Sequence, residues 1–96
     1  MNVRSRINLM VTPESRTDLA YDEIRDVLEH FHDDRLVEWS LERGPSPGKI
    51  YFHFTARVGK NESAEDVTFE LAEMVLSRLP EPEPTVHTGA NLLLPA

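Results

Sequence analysis

"GKIYFHFTARV", residues 48–58, alternates two kinds of side chain. Ile50, Phe52, Phe54, Ala56 and Val58 fall on one side of an extended chain and Lys49, Tyr51, His53, Thr55 and Arg57 on the other, because successive residues of a strand point to opposite faces. The apolar row needs a core to pack on. The cationic and aromatic row needs a different environment. The stretch therefore predicts a central strand in a sheet that is covered on one face only.

Working outward, residues 3–11 show the same period of two, with Val3, Ile7, Leu9 and Val11 in one row and Arg4, Arg6, Asn8 and Met10 in the other. Ser5 is the single polar residue of the inward row. From residue 17 to about 34 the period becomes helical: Ala20, Ile24, Val27, Leu28 and Phe31 recur at three- and four-residue spacing, with acids opposite. Either Thr17 caps this helix, or Thr12 and Pro13 start it a turn earlier. "RLVEWSLER" alternates again, with Val37, Trp39 and Leu41 inward and Glu38, Ser40 and Glu42 outward, and "GPSPG" then forces a turn. Ser63 with Asp66 resembles a capping box for a second helix over residues 64–79. That helix buries Val67, Leu71, Met74 and Val75, with Phe69, Ala72 and Leu76 widening the stripe. "PEPEP" ends it, since proline lacks a backbone donor. "TVHTGANLLLP" reads as a last strand with a bulge or bend at Gly89.

The order β-α-β-β-α-β over residues 1–96 is that of one α+β domain. It resembles the ferredoxin-like superfold. That resemblance implies an antiparallel sheet in the spatial order 4-1-3-2 with both helices on one face, and it concerns topology alone.

Composition narrows the function classes. The 96 residues hold one core, and 40% hydrophobic with 28% charged residues is the balance of a soluble globule. Without cysteine there is neither a disulfide framework nor a thiolate metal site. The opening "MNVRSRINLMV" lacks the apolar core of a signal peptide, and no run of about 18 apolar residues occurs, so a cytoplasmic protein with no membrane contact is expected. A formal charge of -7 disfavours nucleic acid as a partner of the whole molecule.

The charge is unevenly distributed. Residues 17–34 carry seven acids against Arg25, and residues 62–79 carry five against Arg78, so the helical layer is acidic. The open sheet face carries Arg4, Arg6, Lys49 and Arg57 against Glu38 and Glu42. On one reading Lys49 and Arg57 are cross-strand partners for those two glutamates. On the other, the cations with Tyr51, His53 and Met10 form an amphipathic patch suited to a protein interface or to stacking on a base.

The expectation drawn from this is a small, acidic, non-catalytic interaction protein. Its open face, bearing Met10, Tyr51 and Leu93, associates with a second copy or with a partner protein through Arg4, Arg6, Tyr51, His53 and Arg57. The alternative is a phage-type inhibitor that mimics nucleic acid by presenting Asp22, Asp26, Glu29, Glu70 and Glu73 to a basic enzyme groove. RNA-recognition domains share the topology, yet Ile50 and Phe52 replace their small residues, and Asn8 stands where an aromatic stacks. Small sheet-face dimers of the monooxygenase type share it too. Asn8, Trp39 and His53 suit such a site, although Trp39 has core parity and Arg4, Arg6 and Lys49 favour an anionic ligand.

No cofactor, metal or catalytic residue is assigned. His30 and His32 lie about 200° apart around a helix and cannot share a metal, and His53 with His87 lacks a nearby carboxylate. No G-x-G-x-x-G, P-loop or H-E-x-x-H occurs. Ser5, Ser15, Ser40, Ser46, Ser63 and Ser77 lie in no nucleophile elbow.

Overall fold

The computed structural model describes residues 1–80 and 85–95, the last strand, apart from Val86, by its backbone alone. The chain runs β1 (Asn2–Thr12), a short 3-10 turn (Glu14–Arg16), α1 (Thr17–Glu29), β2 (Leu36–Arg43), β3 (Lys49–Arg57), α2 (Ala64–Leu76) and β4 (Thr85–Pro95). The four strands form one sheet in the order β2-β3-β1-β4, and each neighbouring pair is antiparallel. This is the α+β, ferredoxin-like arrangement expected from the alternation of periods. Residues 81–84, the greater part of "PEPEP", lie outside the described part.

The core forms where the inward rows of the two central strands meet the helices. Ile7 and Leu9 of β1 and Ile50, Phe52 and Ala56 of β3 are all at most 1% exposed. The Phe52 and Phe54 rings stack at 4.6 Å between centroids. α1 contributes Ala20, Ile24 and Leu28, one per turn, and α2 contributes Val67, Leu71 and Val75 at the same spacing. Thr68 is buried without cost because its hydroxyl donates to the carbonyls of Ala64 and Glu65. The main-chain ladder continues past β3, where Val58 N–H donates to the Met1 carbonyl at 2.7 Å.

Several boundaries differ from the sequence reading. α1 ends at Glu29, not near residue 34, since the His30 and Phe31 amides turn back to the carbonyls of Val27 and Leu28. Phe31 then folds into the core from the loop, and the Arg35 backbone N–H donates to the Asp33 carboxylate. α2 ends at Leu76 rather than at 79, with Ser77 and Arg78 in tight turns ahead of Pro80. Ser63 caps α2 as expected, its hydroxyl accepting from the Asp66 backbone N–H. Thr17 makes no cap of that kind. Its hydroxyl donates to the Glu14 carbonyl and accepts from the Gly48 backbone N–H, tying the helix entry to the β2–β3 turn. Gly48, buried there at φ +81°, occupies the left-handed region that a side chain disfavours.

Two bulges shift residues between faces. In β2 the pairing passes from Leu36 opposite Ala56 to Glu38 opposite Thr55, so one residue is extra. Val37, expected inward, is that extra residue and is 45% exposed, while Leu36 takes its place against the core. In β4 the register slips between Thr88 and Asn91, which puts the expected irregularity at Gly89 and its neighbour. Beyond it Leu93 pairs with the inward Ser5, and Leu92 and Leu94 pair with Arg6 and Arg4. The placement of Leu93 in the row of Met10 and Tyr51 is therefore corrected by one residue. Phe69, expected to widen the apolar stripe of α2, is 51% exposed.

Candidate functional site

The hairpin joining β2 and β3 sets the geometry of the open face. Its turn is symmetric about Ser46 and Pro47, with Gly44 N–H donating to the Lys49 carbonyl at 2.9 Å, and this fixes Arg43 opposite Ile50, Glu42 opposite Tyr51 and Ser40 opposite His53. On the other side of β3, Arg4 stands opposite Thr55, Arg6 opposite His53 and Asn8 opposite Tyr51. Directly opposed side chains lie about 5 Å apart on one face. Arg6, Asn8, Tyr51 and His53 thus form four corners of one patch on the uncovered side.

Within this patch the polar groups are unequally engaged. Glu42 reaches diagonally to His53, with 3.0 Å between its Oε2 and the ring Nε2. A carboxylate only accepts, so the ring nitrogen that faces it is the donor of this contact. Glu38 accepts from the Thr55 hydroxyl at 3.2 Å. Arg6 lies over the Tyr51 ring, 5.0 Å from guanidinium carbon to ring centroid. Among the described residues neither Arg4 nor Arg6 has a carboxylate partner. A depression of about 540 Å³ opens here, lined by Arg4 and Arg6 of β1, Ser40 and Glu42 of β2, and His53 and Thr55 of β3, among others.

Of the five residues expected at a contact surface, the fold brings Arg4, Arg6 and His53 to this depression. Tyr51 flanks it under Arg6, which covers the ring face that a stacked base would need. Arg57 is separate: it sits opposite Asn2 near the end of the strand and lines a shallower polar depression with His32, Asp33 and Asp34. The expected pairing of Lys49 and Arg57 with Glu38 and Glu42 is not formed, because those glutamates are engaged by Thr55 and His53. The His53–Glu42 pair is what the sequence reading missed. The signal was available in the turn, whose length alone places Glu42 diagonal to His53.

The remaining ionic contacts are structural. Arg43 pairs with Asp18 and lies over Tyr21, whose hydroxyl donates to the Leu41 carbonyl at 3.0 Å, pinning α1 to the edge strand. Arg35 bridges Asp33 and Glu70, each at 3.0 Å, and so links the α1–β2 loop to α2. The hydrogen bonds from Arg35 hold the Asp33 carboxyl below the usual carboxylate range, and raise the Arg35 guanidinium further. On the surface, the carbonyl and then the carboxylate of Asp26 raise the His30 imidazole. Among the described residues no three His, Cys, Asp or Glu side chains group as metal ligands, and no helix is long and apolar enough to cross a membrane.

The fold class is thus a ferredoxin-like α+β sandwich with a polar depression on its open face. One solved structure similar to it is described as "Putative antibiotic biosynthesis monooxygenase" from Bordetella bronchiseptica, at 16% identity and a TM-score of 0.46, covering 93% of this chain and 95% of that one. No protein-family model and no curated protein matches the chain. The expectation of a non-catalytic interaction protein is corrected on this finding: the protein it is similar to is described as an enzyme, and the non-enzymatic readings, the acidic inhibitor included, are set aside. At that identity the likeness assigns this chain no substrate and no reaction.

Proposed function

We propose that the open sheet face binds a small organic anion and transfers a proton on it, with Arg4 and Arg6 holding the anion and His53 as the acid–base group. The observation that carries this is the uneven engagement of charges. In a chain of formal charge -7, two arginines of the central strand keep no carboxylate partner among the described residues, and both nearby glutamates are turned to other groups. Removing charged groups from water without compensation is unfavourable, so a half-buried arginine left unpaired favours an anion beside it.

The chemistry needs only what the face holds. Nδ1 of His53 takes a proton from a carbon next to a carbonyl of the bound anion. The electron pair of the broken C–H bond moves into the enolate, whose oxygen Arg6 stabilises. The Nε2–H to Glu42 contact fixes the ring and compensates the charge it gains. Returning the proton completes the cycle with no oxidant or reductant.

The test is exchange of the C3 protons of a 2-oxo acid in deuterated water, followed by proton NMR. Positioned acid–base groups contribute about 10²–10⁴-fold. We expect acceleration of at least tenfold over the uncatalysed rate, lost in His53→Ala and reduced in Glu42→Gln with the circular dichroism unchanged. Exchange no faster than in buffer, together with unmoved His53 ring signals on adding the acid, refutes the proposal.

A further inference from the structure

The charged lining of the depression is sorted by strand. Its two cations, Arg4 and Arg6, come from β1, and its two carboxylates, Glu38 and Glu42, come from β2. β3 runs between those strands and supplies His53 and Thr55, so the two walls rise from strands about 10 Å apart, two strand spacings. Among the described residues no ion pair joins the walls. β4, the other neighbour of β1, contains no Asp, Glu, Lys or Arg in its sequence and leaves the balance unchanged. The formal charges of the lining therefore cancel, while its positive and negative sides stay apart across the floor.

From this separation we infer that the ligand of the open face carries an ammonium group as well as its carboxylate, the carboxylate on the β1 wall and the ammonium on the β2 wall: a zwitterionic amino acid. This inference rests on the proposed anion site and specifies its ligand. An anion without the ammonium satisfies the arginines but meets Glu38 and Glu42 as like charges, the repulsive contact by which a site rejects a wrong partner. The zwitterion turns the same two carboxylates into partners. Neither glutamate is used up by its present contact, since an ionised carboxylate has two oxygens with about four acceptor positions, and the bonds with Thr55 and His53 take one each. Ser40 stands between the two glutamates on the same face and lines the depression, adding a hydroxyl oxygen for an ammonium that has three donors. On the opposite wall the planar fork of arginine matches a carboxylate.

Three non-reactive probes of matched size separate the possibilities: γ-aminobutyrate, the zwitterion; pentanoate, in which a methyl replaces the ammonium; and isohexylamine, in which an isopropyl group replaces the carboxylate. Binding to the unmodified protein is read from the His53 ring signals by NMR titration at low salt, where exposed charges are least screened. The expected result is γ-aminobutyrate at least fivefold tighter than either analogue. Its preference over pentanoate should fall to within twofold when Glu38→Gln and Glu42→Gln are combined, a change that keeps acceptor oxygens and removes the charge. If pentanoate binds as tightly as γ-aminobutyrate, or the preference survives in the glutamine variant, the anion site stands and the ammonium assignment is overturned. If isohexylamine binds as tightly as the zwitterion, the arginine wall holds no carboxylate, and the anion site falls with this inference. If no probe shifts His53, both fall together.

Discussion

Truncation of two adjacent residues tests the geometry that everything else requires. Phe52 is 1% exposed and stacked on Phe54, whereas Tyr51, its neighbour in sequence, is half-buried on the opposite face beneath Arg6. Phe52→Ala removes a ring from a closed core and should cost about 3–5 kcal/mol. Tyr51→Ala loses one cation–π contact, about 0.5–1 kcal/mol at a partly exposed site, and some apolar cover, for a total below about 2 kcal/mol. A domain of 96 residues has about 5–14 kcal/mol of stability at typical per-residue values. The first change thus consumes a large share of it and the second does not. In urea, with a slope of about 1.5 kcal/mol/M, the midpoints should fall by about 2–3 M and by less than about 1.3 M. Should Phe52→Ala fail to fold, Phe52→Leu, expected to cost less, keeps the comparison measurable. A Tyr51 variant as destabilised as the Phe52 variant refutes the assignment of the two faces, and with it the site.

Three further outcomes rest on particular contacts. Gly48→Ala places a methyl 2.9 Å from Glu14 Cγ and 3.2 Å from the Val11 carbonyl oxygen at φ +81°, and should cost at least about 1–2 kcal/mol by thermal melting. Gly48→Asn tolerates that φ better but meets the same contacts, so its penalty should be the smaller of the two on the backbone term alone. Asp33→Asn should flatten the acid side of the stability profile: Arg35 lowers the Asp33 pKa in the folded state, so its contribution is full above the unfolded carboxylate pKa of about 4 and is lost as pH falls through the lower folded value. Val37→Lys, at the bulge, should change stability by less than about 0.5 kcal/mol in the same melts, an outcome the inward parity first assigned to that residue would forbid.

The central strands were legible because their apolar rows are continuous and have period two, and a slip of one residue would expose the whole row. Phe52 and Ile7 have no other face to occupy. The symmetric turn made the hairpin register legible as well. The bulges were not. Val37 is a β-branched apolar residue in perfect alternation with Trp39 and Leu41, and nothing local marks it as extra. Arg57 N–H donates to the Arg35 carbonyl just before that point, so the chain leaving the Asp33–Arg35 turn enters the sheet one residue out of phase. Long-range closure of this kind decides where a strand starts, and the alternation of side chains assigns faces only from that point onward. The end of α1 is set in the same way, by Phe31 leaving the helical path to reach the core.

The candidate site shows the same division between local pattern and pairing. Composition and parity put Arg4, Arg6, Tyr51 and His53 on one surface, and one of two readings paired Lys49 and Arg57 there with Glu38 and Glu42 across strands. Pairing selects differently. Glu38 meets a hydroxyl and Glu42 meets an imidazole, so the pairs with Lys49 and Arg57 are not formed and the imidazole gains a carboxylate. A face meant only for solubility has no need of that outcome, since the cross-strand pairs were within reach and each is worth up to about 1 kcal/mol. In the proposed function that arrangement has a use: Arg6 stands directly opposite His53, and Glu42 holds the imidazole from the other side.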